Sequence, residues 1–290
     1  MRNLLSLFFF NTLSFIIKKT PPSKIESFAK VFSTLLYHID FIRKKIVLRN
    51  LAIAFPNLSK QEQKEIAKKV YFNFTLYFSE VIKNIDISKE DLEKKVTIVG
   101  QKHIQEALSL QKPIVFMTAH FGNWEFAPKV IGAFYTPMLV LERKFDNPHI
   151  AKIFQKNRNS FNITTINKKS SAREIIKAFK EGKALGILID QHSKSKTAIE
   201  VDFFGKRVKF NRGVTTLAKK FDAIVVPMFS YRKENQYYLE FLEPKSFSKN
   251  DTLESFTQWQ ASTIEAMIKK YPDEYYWFHK RFKNIANIYD

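Results

Sequence analysis

Lys112-Pro113-Ile114-Val115-Phe116-Met117-Thr118-Ala119-His120-Phe121-Gly122-Asn123-Trp124-Glu125 is the stretch that decides how this chain folds. Pro113 to Ala119 is short, apolar and β-branched, the pattern of a buried strand. His120 ends it, Gly122 permits a tight turn, and Asn123 suits the N-cap of a helix over Trp124 to Ala133. On one continuous helix His120 and Glu125 would stand roughly 140° apart, on different faces. A strand–turn–helix break instead lets the two side chains meet.

A histidine at such a turn, held by a carboxylate, is a general base. The carboxylate accepts one ring N–H and fixes the tautomer, and the other nitrogen takes a proton from an attacking hydroxyl. Backbone N–H groups near Gly122 and Asn123, at the expected helix start, suit a developing negative charge. The spacing alone equally fits a strand-capping histidine and a solvated glutamate.

Outward from this turn the pattern repeats. Strands are expected at Val96 to Val99, Ile114 to Thr118, Met138 to Leu141, Leu185 to Ile189, Ile199 to Phe203, Ile224 to Phe229 and Tyr237 to Leu242. Helices fall between several of them, at Lys102 to Leu110, Pro148 to Phe161, Ser171 to Glu181 and Arg212 to Phe221. This alternation predicts an α/β fold, a mixed central sheet flanked by helices. Asp251 to Lys270 reads as a C-terminal helix, followed by the aromatic-basic tail Tyr275 to Lys283. Asp190 and Gln191 follow an apolar strand, where such sheets place ligand-binding residues.

The first third reads differently. Ser23 to Tyr37, Asp40 to Ala54 and Ser59 to about Lys83 form amphipathic helices, the last with Glu62 completing a capping box on Ser59. Ahead of them Leu4 to Ile17 is apolar and ends at Lys18-Lys19. As a helix it reaches roughly 21 Å against a hydrocarbon core of ~30 Å, which suits an uncleaved anchor better than an unaided span. The chain is therefore expected to carry an N-terminal membrane-associating helical region, made of an apolar membrane anchor (1–19) and a helical region (20–95), ahead of an α/β catalytic body (96–290), in one domain. A buried core helix is the competing reading of Leu4 to Ile17.

Lys and Arg number 48 against 28 Asp and Glu, a net charge of +20 that favours anionic partners. The absence of cysteine excludes disulfides, thiolate nucleophiles and cysteine metal sites. Neither a serine elbow, a zinc-protease helix, a P-loop nor a dinucleotide-binding glycine motif occurs.

His120-Phe-Gly-Asn-Trp-Glu125, Arg143-Lys-Phe-Asp-Asn-Pro148 with Arg158, Asp190-Gln191, Phe203-Phe204-Gly205, and the ends Arg49-Asn50-Leu51 and Pro272 to Lys283 together resemble the late acyltransferases of lipid A biosynthesis. The order of these motifs along nearly the whole chain carries the likeness. Lys206-Arg207 and Lys280 are departures from it. The resemblance implies transfer of a fatty acyl chain from acyl carrier protein to a 3-hydroxyacyl hydroxyl of a lipid A precursor, an anionic glycolipid. It implies His120 as base with Glu125 as its partner, Arg158 and Asp190 as further essential residues, and no metal or organic cofactor. Asn123, Arg143, Gln191, Phe203, Phe204 and Gly205 are the substrate-binding residues it suggests. It places the protein at the inner membrane, the body on the cytoplasmic side, with no nucleic-acid partner. Two rivals are a glycerophospholipid acyltransferase and a non-enzymatic basic protein on membrane or nucleic acid.

Overall fold

The architecture comes from a computed structural model, which describes residues 2–142, 148–158, 160–167, 171–234, 236–285 and 288–289. Among them the strands are β1 (Val96–Val99), β2 (Ile114–Thr118), β3 (Met138–Glu142), β4 (Ile163–Asn167), β5 (Ala184–Leu188), β6 (Ile199–Phe203), β7 (Lys206–Phe210), β8 (Ile224–Lys233) and β9 (Gln236–Phe241). The helices are α1 (Arg2–Lys19), α2 (Ile25–Ile39), α3 (Phe41–Ala54), α4 (Lys60–Lys83), α5 (Lys89–Lys95), α6 (Gln101–Ser109), α7 (Ala127–Phe134), α8 (Pro148–Arg158), α9 (Ser171–Lys180), α10 (Gly213–Phe221) and α11 (Leu253–Lys270).

Seven strands form one sheet in the order β1-β9-β8-β2-β5-β3-β4. Every pairing is parallel except β8 with β9, so the sheet is mixed through its closing hairpin, as expected. β2 lies at its centre and is buried throughout. Val115 and Met117 enter the apolar cluster on one face, Ile114 and Phe116 the cluster on the other. A parallel strand covered on both faces needs this unbroken apolar run, which is why Ile-Val-Phe-Met reads so plainly.

Two strands escaped the sequence reading. β4 has the β-branched run Ile163-Thr-Thr-Ile as its signal, and the helix ahead of it ends at Arg158, short of the expected Phe161. β7 returns antiparallel on β6 through the two-residue turn Phe204-Gly205, both at positive φ. The short helix α5 was likewise not anticipated; Ser88 caps it by accepting the Asp91 N–H at 3.0 Å.

The N-terminal helices share a core with the sheet. α2 lies along α4, burying Ile25, Ala29, Ser33 and Tyr37, every fourth residue of one face. α1 packs on α4 as well, with Phe10, Ser14 and Ile17 buried and Ile17 joining Ile25, Ala29, Leu76 and Ile82. Among the side chains described in this run, Phe10, Ser14 and Ile17 are buried while Phe15 and Ile16 are exposed. Among the described residues no helix is long and apolar enough to cross a membrane.

Candidate active site

Strand register assembles the site before any side chain is considered. β2 and β5 are parallel neighbours with Thr118 opposite Leu188, and Ile189 N–H donates to Thr118 O at 3.2 Å. Two residues beyond that pair stand His120 and Asp190, level at the carboxyl edge of the sheet. Asp190 Oδ1 lies 2.8 Å from His120 Nδ1 and also accepts the His120 backbone N–H at 3.1 Å. Its Oδ2 accepts the Tyr275 hydroxyl at 3.1 Å.

These contacts fix the proton. An ionised carboxylate only accepts, so Nδ1 carries hydrogen and Nε2 is the proton acceptor. Burial acts to lower the His120 pKa, but the Asp190 charge and hydrogen bond prevail and leave it raised. Burial likewise acts to raise the Asp190 carboxyl. The imidazole's charge and the hydrogen bonds from His120 overcome this and hold it below the ordinary carboxylate value. Asp190 is 2% exposed and His120 24%, so the carboxylate is sealed while the ring keeps a partly exposed edge. Nε2 faces the exposed Gln191 amide at 3.3 Å, and the rings of Trp124 and Tyr276 flank the imidazole at 5.3 and 6.0 Å.

Glu125 is not the partner of His120, contrary to the expectation from spacing. Arg158 Nε donates to Glu125 Oε2 at 2.8 Å and its Nη2 to Oε1 at 2.5 Å, a two-pronged pair in the cleft wall. The helix begins at Ala127, not Trp124, because Pro128 has no N–H to give the Trp124 carbonyl. Phe126 N–H closes a turn on Asn123 O at 3.0 Å, and Glu125 reaches the C-terminal end of α8.

The turn itself is pinned from behind. Gly122 has φ +54°, and a Cβ there would stand 1.6 Å from Ser230 O, so only glycine passes over β8. Its N–H donates to Glu274 O at 2.8 Å and is already spent, which removes it from the expected oxyanion donors. Asn123 is buried at 3% exposure, and its side chain acts to lower the carboxyl of Glu80 on α4 against the effect of burial. Burial pushes Glu80 up to about 7 and Glu274 up to about 8. Tyr77 donates to Glu274 Oε2 at 2.5 Å, and Arg232 N–H to its Oε1 at 3.2 Å.

The other expected substrate-binding residues fare differently. Phe203 and Phe204 are buried at the tip of the β6–β7 hairpin, and Gly205 completes its turn. Phe204 packs near Phe55 and Trp277, while the buried Arg281 lies over Phe203 and Phe210 at 5.2 and 4.3 Å. These aromatics are core, not cleft lining. Arg143 lies outside the described residues.

Tyr275 was missed as a site residue. Its segment joins the His120 turn as an extra edge: Phe121 bridges Tyr275, and Tyr276 N–H donates to His120 O at 2.9 Å. The sequence signal was its place in the Asp-Glu-Tyr-Tyr-Trp tail, which says nothing of where the tail crosses. Among the described residues no group of three or more His, Asp or Glu side chains is placed to hold a metal ion.

The chain matches the family described as bacterial lipid A biosynthesis acyltransferase over residues 2–284. It is 26% identical over 244 residues to the lipid A biosynthesis lauroyltransferase of Escherichia coli (strain K12), covering 83% of this chain and 79% of that one. A lipid A biosynthesis acyltransferase of Haemophilus influenzae is 22% identical over 245 residues, 83% of this chain and 77% of its own. Among solved structures, the 1-acyl-sn-glycerophosphate acyltransferase PlsC from Thermotoga maritima gives a TM-score of 0.40 at 12% identity, over 85% of this chain and 95% of that one. That likeness is too loose to add to the assignment.

Proposed function

From the premise that this chain belongs to the bacterial lipid A biosynthesis acyltransferase family, we propose that it moves a fatty acyl group from an acyl-carrier-protein thioester to a 3-hydroxyacyl hydroxyl of a lipid A precursor, with His120 as general base. The observation that carries this is the His120–Asp190 contact at 2.8 Å, with Nε2 left 3.3 Å from the exposed Gln191 amide. A hydroxyl is a poor nucleophile until its proton is being removed. Nε2 takes that proton as the hydroxyl oxygen attacks the thioester carbon, and Asp190 stabilises the imidazolium that forms. The tetrahedral oxyanion then collapses, the carbon–sulfur bond breaks, and the departing thiolate recovers the proton from Nε2. Atoms and charge balance without a covalent acyl-enzyme.

Gln191 sits where the attacking hydroxyl must reach, so its exposed amide yields that position to the acceptor. Glu125 and Arg158 neutralise each other in the wall beside the ring. The net charge of +20 suits an acidic carrier protein and a phosphorylated acceptor at the cytoplasmic face of the inner membrane.

The test offers purified protein an acyl-carrier donor with either a lipid A precursor or glycerol phosphate. The expected product is an ester of the lipid A precursor, and His120→Ala should lower turnover roughly 10²–10⁴-fold while the chain stays folded. Acylation of glycerol phosphate alone would move the assignment to phospholipid synthesis. Undiminished turnover by a folded His120→Ala would remove the base.

A further inference from the structure

The tail that follows α11 is buried without a ladder to hold it. From Tyr275 to Phe282 the backbone runs in turns, yet Tyr275, Trp277, Phe278, Arg281 and Phe282 are all buried. Backbone carbonyls taken out of water in such a segment need partners from elsewhere. Three successive ones, on Trp277, Phe278 and His279, find them on α3. Asn50 Nδ2 donates to Trp277 O at 2.7 Å and to His279 O at 2.8 Å, and Arg43 Nη1 donates to Phe278 O between them at 3.1 Å.

Asn50 is wholly buried, and both polar atoms of its amide are engaged. Its two Nδ2 hydrogens go to tail carbonyls. Its Oδ1 accepts the Tyr289 hydroxyl, which in turn accepts the Phe282 N–H at 3.0 Å. Carbonyls before the nitrogen and a hydroxyl before the oxygen fix the orientation of the amide. The near end of the same tail lies along the His120 turn. Gly122 N–H donates to Glu274 O at 2.8 Å, Tyr276 N–H to His120 O at 2.9 Å, and the Tyr275 hydroxyl to Asp190 Oδ2 at 3.1 Å. The contacts at 274–276 run straight into those at 277–279, so displacing the second set displaces the first.

We propose that Asn50 is a positioning residue for the His120–Asp190 pair: by holding the carbonyls of Trp277 and His279 it keeps the Tyr275 hydroxyl on Asp190. Without Asn50 two buried carbonyls lose their donor together, the tail relaxes, and Tyr275 withdraws from the carboxylate. Asp190 then draws more strongly on the ring and holds the imidazolium more tightly. The charged groups that act on the ring are Asp190, Glu125 and Arg158, and Asn50 bonds none of them. His279 is lowered by burial to about 4, so it is neutral where His120 titrates. The effect of Asn50 on turnover rests on His120 being the base; its effect on the ring does not, and the two are measured separately.

The experiment is NMR titration of the histidine rings in the full chain, with the His120 signal identified by its loss in His120→Ala, beside kcat/KM for acyl transfer. Asn50→Ala and Tyr275→Phe should each move the His120 midpoint to higher pH. The double variant should move it no further than the larger of the two, because both remove one contact. For Asn50→Ala kcat/KM should fall roughly tenfold or less. Thr257→Val breaks a buried hydrogen bond between α10 and α11, and should lower the melting temperature while leaving the midpoint in place. Should Asn50→Ala fail to fold, Tyr289→Phe takes its place, with a smaller move in the same direction. A midpoint unmoved in the folded variant would leave Asn50 a packing residue. Two shifts that add in the double variant, or an equal shift in Thr257→Val, would also overturn the proposal. The expected titrations in a protein that transfers no acyl group would strike the function and keep the positioning role.

Discussion

His120 and Asp190 are adjacent because two parallel strands end level, and Tyr275 completes the set by donating into the carboxylate's second oxygen. Each member has a distinct expected signature. Asp190→Asn removes the charge behind the imidazole and lets an amide N–H face Nδ1, favouring the wrong tautomer. Turnover should fall by about 10²–10⁴-fold, as for loss of the base itself. Tyr275→Phe leaves the tautomer alone but strips a donor from Asp190, making the carboxylate more basic towards the ring. It should cost roughly tenfold or less and move the acidic limb of the kcat/KM profile to higher pH, because the imidazolium is held more tightly. A pH profile that stays put in a folded Tyr275→Phe would leave the tyrosine a packing residue. Glu125 and Arg158 pair with each other through two hydrogen bonds and make none of the contacts to the ring that Asp190 makes.

At the scale of elements, α1 and α4 decide whether the N-terminus is separable. The apolar composition of Leu4 to Ile17 is that of an anchor, and removal of residues 1–19 would be expected to leave a folded body. Yet Ile17 is wholly buried against Leu76 and Ile82 of α4, and Phe10 is buried with it. Ile17→Ala should therefore destabilise the protein by about 2–4 kcal/mol, the usual cost of emptying such a site. Urea unfolding of the full chain measures it, and a change below roughly 0.5 kcal/mol would return α1 to the role of a loose anchor. Periodicity could not choose between these readings, since an apolar helix looks the same to lipid and to a neighbouring helix.

For the whole molecule, the groups packed behind the His120 turn couple stability to pH. Burial raises Glu80 to about 7 and Glu274 to about 8 from the ordinary 4.5, so the folded chain keeps protons that the unfolded chain has released. Stability from these two is present at low pH and is lost as pH rises through their folded values. His120, also raised, acts with the same sign above 6.5. His279 and His192, lowered by burial, act oppositely but only below 6.5, and Lys129, lowered to about 8, opposes only above that. The melting temperature should therefore fall between pH 6.5 and 8, and Glu80→Gln with Glu274→Gln should flatten the fall. A curve that rises across this window would contradict the assignment. None of this was legible in the sequence. The amino-acid order by itself determined the central strand, most of the elements around it and the chemistry on offer, because burial on both faces of β2 demands an apolar run and a sharp turn demands Gly122. Through its resemblance to the lipid A acyltransferases it also brought His120, Glu125, Arg158 and Asp190 forward as a set. Only the tertiary structure decided which carboxylate the histidine meets. Spacing along the chain favoured Glu125, but hydrogen-bonded register between β2 and β5 sets Asp190 beside the ring, and register is a relation between segments 70 residues apart that no local pattern encodes.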